Sequence, residues 1–319
     1  MKKLTRRSLM AAGLALGTMP IRDTVDLPAN PDAVVIGAGS AGIAAARTLL
    51  ELGKTVIVLE AANRVGGRAY TEAQSFGVPF DHGCSWITAA NDNPFKLLAE
   101  RSDYTLVEHS TPPEVLFVGD RRASDREVEQ YWACWQHIPK ALDEAGKAGQ
   151  DVPASTVVPP GLPFSGVCQS WIGPMDYGVD FKDLSTLEFS QNADNNPSFM
   201  VKEGHGRLVA NLAGGLRIKL GTPATRVDWG GPGVSVETPA GTIGAKACIV
   251  TVSTGVLNSG ALTFSPALPS WKVQAIHDVP MGLLAKVALQ FDGERFGFLP
   301  DNWLTYWVPD EMPAEACYF

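Results

Sequence analysis

Six residues near the start of the chain, Gly37-Ala38-Gly39-Ser40-Ala41-Gly42, have the spacing of a loop built to hold a phosphate group. Gly37 permits a tight turn, Gly39 lets the backbone approach a pyrophosphate, and Gly42 lets a helix pack on a strand. Amides freed at the helix start, together with the helix dipole, favour an anion there. Glu60 follows at a position where a carboxylate can accept both hydroxyls of an adenosine ribose. Arg64 and Arg68 then flank the pair Gly66-Gly67. The arginines bring charge and forked donors, and the glycines let the backbone curl back toward the same pyrophosphate. Far downstream stands Lys286, a cation inside an apolar stretch. The chemistry implied is capture of a dinucleotide. No Ser/His/Asp set for nucleophilic catalysis is evident, and the five histidines are scattered. His205, between two glycines, is the second candidate for a site residue after Lys286.

The elements that must position these residues are legible. Residues 33–36 form a short apolar, valine-rich strand, 40–52 read as a helix stopped by Gly53, and 55–59 form a second buried strand that ends on Glu60. Together they make one βαβ unit, which does not by itself separate NAD from FAD. A period-two reading of 282–292 sets Leu283, Ala285, Val287, Leu289 and Phe291 on one face of a predicted strand. Lys286 falls on the other face, and pattern alone makes that a solvated face. Ser124-Asp125-Arg126-Glu127 is a capping box. Val128, Tyr131, Trp132, Trp135 and Ile138 follow at helical spacing, as the apolar stripe of a long helix. Pro153, Pro159, Pro160 and Pro163 break up a loop after it.

The 319 residues are 45% hydrophobic and 19% charged, a globular balance with room for a sizeable core. A net charge of −8 offers no basic stripe to nucleic acid. No internal repeat is visible, and no apolar run reaches the ~18 residues of a stable membrane span. The five cysteines are scattered without C-x-x-C spacing, so they read as buried thiols, with no metal site. Arg6-Arg7 ahead of the apolar stretch 9–16 resembles a twin-arginine export signal. The expected location is therefore periplasmic, with a membrane tether if the signal stays uncleaved.

The run Asn63-Arg64-Val65-Gly66-Gly67-Arg68, followed by Gly77-Val78-Pro79-Phe80-Asp81-His82-Gly83-Cys84-Ser85-Trp86-Ile87, resembles the flavin-dependent amine oxidase family. That family includes monoamine, polyamine and L-amino-acid oxidases and tryptophan 2-monooxygenases. Further segments match in family order. They are Glu203-Gly204-His205-Gly206-Arg207-Leu208, residues 222–227, residues 247–257, Phe264-Ser265-Pro266-Ala267-Leu268-Pro269 and Gly282-Leu283-Leu284-Ala285-Lys286-Val287. Two substitutions depart from the pattern, Ser253 for a proline and Cys84 for an alanine.

The resemblance implies an α/β fold: a Rossmann-like FAD-binding domain interleaved with a mixed α+β substrate domain. The implied boundaries are a signal and linker over 1–29, FAD-binding segments over 30–90 and 204–270, a helical substrate-domain excursion over 91–203, and substrate-domain strands from 271. The cofactor implied is FAD, held by Gly37, Gly39, Ser40, Ala41, Gly42, Glu60, Ala61, Arg64, Gly66, Gly67, Arg68, Gly83, Ser85, Trp86 and the backbone of Val227. Lys286 would approach the flavin N5 through a water. The implied reaction is oxidation of an amine or amino acid to its imine, with O2 reduced to H2O2. A tryptophan 2-monooxygenase-like outcome and a non-catalytic flavin-binding chain are the alternatives. The family's last glycine-rich flavin motif does not occur before Phe319, so a further segment or a second chain is expected to complete the FAD site.

Overall fold

The computed structural model describes residues 30–110, 112–192 and 196–307. The export-signal reading and Cys317 lie outside them. The described residues form a mixed α/β architecture with a parallel sheet at its core, in two compact units. One comprises the described residues of Met1–Glu108 with Asn196–Met281, and the other those of His109–Asn195 with Gly282–Phe319.

The first unit is built on four parallel strands in the order Ile218–Lys219, Val56–Leu59, Ala33–Ile36, Ala247–Val250. Strands buried on both faces read as continuous apolar runs, and Ala33–Ile36 and Val56–Leu59 are buried throughout. Alternation divides them between two cores. Val35, Val56 and Val58 pack with Ile43 and Ala46 of the helix Ser40–Glu51 and with Val209 of the helix His205–Asn211. Val34, Ile36, Ile57 and Leu59 point the other way, against Val227, Val236 and Leu262. Val227 and Val236 belong to a second sheet, in the order Gly241–Ala245, Val234–Thr238, Arg226–Asp228, Thr263–Ser265. At one end of the parallel sheet Asp32 accepts from the Thr55 amide and from Lys246 Nζ at 2.7 Å. The Lys246 hydrogen bond, then those from Thr55, hold its carboxyl well below the usual range.

Residues 91–108, which the sequence reading places in the helical excursion, pair with the first unit instead. Leu106–Glu108 is antiparallel to Phe199–Val201, which also pairs with Trp86–Ile87. Strand pairing across a long loop leaves no local trace in composition, so the boundary is invisible to a pattern reading. Asp81 ties the hairpin Thr71–Glu72/Phe80–Asp81 to the start of the helix His205–Asn211. Its carboxylate accepts from the amides of His205 at 3.0 Å and Gly206 at 3.1 Å, and from the Thr71 hydroxyl. Two otherwise orphaned amides of a helix start are thereby satisfied.

The second unit centres on the helix Asp125–Lys147. The capping box is present: the Ser124 amide donates to Glu127 Oε2 at 2.8 Å, and Arg121 pairs with the same carboxylate. These contacts hold the Glu127 carboxyl well below its usual range, the Arg121 hydrogen bond contributing most. Tyr131, Cys134, Ile138 and Leu142 are the buried stripe, joined by Leu116, Val167, Cys168, Ile172 and Phe181. The predicted stripe is corrected at Trp132, which is 49% exposed. Cys134, three residues after Tyr131, holds the inward position. A three-stranded sheet, Trp303–Tyr306 parallel to Glu114–Val118 and then Arg121–Arg122, completes the unit.

Candidate functional site

The site grows from the end of the first strand. After Ile36 the chain turns through Gly37 at φ +104°, a backbone angle that L side chains rarely adopt. A Cβ on Gly42 would lie 1.8 Å from the Gly37 carbonyl oxygen, so only glycine lets the helix begin so close to the strand. Thr251, at the end of the neighbouring strand, walls the turn, with its hydroxyl donating to the Ile36 carbonyl at 2.7 Å. The helix that follows has Gly39 as its N-cap, no side-chain cap and no acid in its first turn. Ser40 and Ala41 are exposed. An uncapped start of a twelve-residue helix opening on solvent is an anion-binding geometry.

Glu60 reaches this turn from the second strand. Its Oε2 accepts from the Ala38 amide at 2.7 Å and its Oε1 from the Ala62 amide at 2.8 Å. Both oxygens are fixed, and the lone pairs left over can accept from a diol. Gly66 and Gly67, at φ +103° and +59°, bring the arginine loop onto the same turn. The Gly66 amide donates to the Ala38 carbonyl at 2.8 Å, and Gly39 and Gly66 form an isolated parallel bridge.

The two arginines of this loop are used differently. Arg64 donates to the Gly67 carbonyl at 3.0 Å and sits over the Tyr70 ring at 4.3 Å, so it holds the loop's shape. Arg68 is exposed and makes no ion pair among the described residues, which leaves its guanidinium available to an anion. Gly83 backs that residue, since a Cβ there would lie 1.7 Å from the Arg68 carbonyl oxygen. Ser85 is buried and Trp86 half-buried in the short strand that follows. Ala61 is exposed beside Glu60.

Not every predicted residue joins this group. The Val227 side chain is buried in the second sheet, and its strand is flanked on both sides. The segment bonded to the Glu60 end is instead Gly221–Thr222, with amides donating to the carbonyls of Ala62 and Glu60 at 2.8 Å each. Neither this segment nor Thr251 is among the predicted site residues, although 222–227 and 247–257 carry the family resemblance, because single small polar residues have no spacing signal of their own. Lys286 is exposed and lies in a stretch without strand structure, so the predicted strand over 282–292 is corrected. An alternating pattern makes a strand only where a neighbour pairs its backbone. Here Leu283 and Val287 are each 85% exposed. His205 is 5% exposed, packed at 5.3 Å against Phe95, and burial lowers its pKa. It is a core histidine. Cys84, expected to be buried, is exposed, whereas Cys134 and Cys168 are buried. Burial pushes the Cys248 thiol up to about 11. No group of three or more metal-ligating side chains occurs among the described residues. An apolar hollow lined by Leu257, Leu262, Phe264, Val273 and Ile276 shares no residue with the glycine turn.

Residues 40–155 and 170–309 match the Amino_oxidase family, described as flavin containing amine oxidoreductase. The chain belongs to this family. It is 31% identical over 325 residues to polyamine oxidase 4 of Oryza sativa subsp. japonica, covering 89% of this chain and 63% of that protein. To the lysine-specific histone demethylase 2 of Homo sapiens it is 29% identical, over 90% of this chain and 38% of that protein. Among solved structures, wild-type putrescine oxidase bound to putrescine superposes with a TM-score of 0.61 at 18% identity. That match covers 78% of this chain and 63% of the other and shows the shared fold. The chain thus spans less than two thirds of the length of these relatives.

Proposed function

We propose that this chain is part of an FAD-dependent amine oxidase, which converts an amine to its imine and passes two electrons to O2, giving H2O2. The observation that carries the reading is the Glu60 carboxylate, fixed by two amides beside an uncapped helix start. Membership of the amine oxidoreductase family supports the choice of FAD and of an amine. Bound there, FAD supplies the acceptor for a hydride equivalent from the carbon bearing nitrogen. The chain's own part is to hold and orient. The helix start and Arg68 would take the pyrophosphate charge, Glu60 the ribose diol, and the glycines the close backbone approach. The substrate amine must arrive uncharged, because the nitrogen lone pair drives loss of hydride. The relatives named for polyamine and putrescine oxidation support a small aliphatic amine as substrate. A panel of amines assayed for oxygen uptake and peroxide tests this reading; absence of both with every amine contradicts it.

Lys286 is proposed to assist reaction of the reduced cofactor with oxygen, on the family resemblance of the segment 282–287. Lys286→Met is expected to leave FAD content unchanged and to slow reoxidation about tenfold or more, roughly 1.4 kcal/mol on that barrier. Reduction by amine should change much less. Rapid-mixing reoxidation at wild-type speed would return Lys286 to an ordinary surface lysine.

Export through the twin-arginine route is proposed from Arg6 and Arg7. Replacing both with lysine is expected to retain the protein in the cytoplasm with its flavin. An undiminished periplasmic yield would count against export by this route.

A further inference from the structure

Two successive peptide planes make the glycine turn, and each is held at both edges. In the peptide between Ile36 and Gly37, the Gly37 amide donates to the Leu59 carbonyl at 2.8 Å. The Ile36 carbonyl accepts twice from Thr251, from its amide at 2.9 Å and its hydroxyl at 2.7 Å. In the next peptide the Ala38 amide donates to Glu60 Oε2 at 2.7 Å. The opposite edge of that plane is the Gly37 carbonyl, 3.3 Å from the same Thr251 hydroxyl, which is shared between the two carbonyls. Thr251 follows the strand Ala247–Val250 and Glu60 follows Val56–Leu59, the two neighbours of Ala33–Ile36 in the sheet. The turn is therefore gripped from both sides.

Sterics alone do not orient the second plane. A peptide is planar, so its carbonyl and its amide turn together. Gly37 has no Cβ to limit that rotation, and its φ of +104° already lies where other residues rarely go. Toward Gly42 the Gly37 carbonyl oxygen meets no side chain, since a Cβ there would lie 1.8 Å away. Hydrogen bonds must then set the plane, Glu60 at the amide edge and Thr251 at the carbonyl edge. Ala38 is 0% exposed, so an amide turned away from Glu60 would find no water in exchange.

We propose that Thr251 is a positioning residue for the cofactor. Its hydroxyl fixes the peptide between Gly37 and Ala38, so that the Ala38 amide keeps hold of Glu60 Oε2 and the carboxylate stays set for the ribose diol. The effect on the cofactor rests on the FAD reading of the turn. The hold on the peptide does not.

The test compares Thr251→Ala with Thr251→Ser in the whole protein. Alanine removes the hydroxyl and adds no atom beside Gly37 or Gly42, whereas serine keeps the donor. Two readings are taken: equilibrium titration of the flavin-free protein with FAD, and hydrogen exchange of the Ala38 amide followed by NMR before FAD is added. Thr251→Ala is expected to weaken FAD by about tenfold, the scale of one lost hydrogen bond. It should also speed exchange of the Ala38 amide by about tenfold or more, as local opening becomes easier. Thr251→Ser should stay within about threefold of the wild type in both readings, because it restores the bond. Thr251→Cys, a weak donor, is the second variant should alanine not fold, and its FAD affinity and exchange should both shift as for alanine. A hydroxyl with a merely structural part would lower the thermal midpoint and leave both readings unmoved. Unchanged FAD affinity in Thr251→Ala, or weakened affinity with Ala38 exchange at the wild-type rate, overturns the positioning role. A wild type that binds no FAD overturns the cofactor reading itself, a result distinct from a wild type and a Thr251→Ala variant that bind FAD equally well.

Discussion

Gly42→Ala is expected to abolish flavin retention and to lower stability by about 1–3 kcal/mol or more, the usual cost of forcing extra carbon into a packed site. The added Cβ would sit 1.8 Å from the Gly37 carbonyl oxygen and 2.9 Å from Thr251 Oγ1. The first contact is backbone, so it cannot be relieved by a rotamer change. Helix and strand must separate, and that moves the turn whose amides face the phosphate. The matched control is Gly244→Ala, in the exposed strand Gly241–Ala245, where an added Cβ meets nothing within 4 Å. Thermal unfolding and flavin absorbance after desalting should separate the two variants cleanly. Equal behaviour would mean that the turn does not constrain the cofactor.

Glu60→Gln is expected to weaken FAD on the order of 10–100-fold, in the range of 1–3 kcal/mol for hydrogen bonds to a charged group. A glutamine offers one acceptor where the carboxylate uses two, one for Ala38 and one for Ala62. Its amide would set a donor against a donor at one of them. Part of the cost therefore falls on the apoprotein as a lower thermal midpoint, and the rest on the ribose contact. Equilibrium titration with FAD, alongside unfolding without it, measures the two separately. An FAD affinity equal to wild type would remove Glu60 from the ribose site.

The features that the amino-acid pattern makes legible are those whose partners lie close in sequence. The βαβ unit is one, because a strand, three glycines and a helix within twenty residues impose their own geometry. The capping box at Ser124 is another, for its acceptor and donor are three residues apart. Lys286 shows where such reading stops. The alternation from Leu283 to Phe291 is real, yet it states only which face would be buried if a neighbour covered it. Among the described residues that face stays open, with Leu289 62% and Phe291 59% exposed. Trp132 and Cys84 fail for a related cause, since helical or strand spacing ranks positions by period and does not know which neighbour arrives. Thr251 and Gly221–Thr222 matter through contacts with residues far away in the chain.

One measurement tests FAD-dependent amine oxidation by this protein most directly: the visible spectrum of the purified protein, equilibrated with FAD, desalted, and recorded under anaerobic conditions before and after addition of an amine. The bands of oxidised flavin should be present at one FAD per chain, should bleach on addition of a small aliphatic amine, and should return on admission of air with release of peroxide. A protein that retains no flavin after saturation with FAD, or whose flavin bands no amine bleaches, would contradict it.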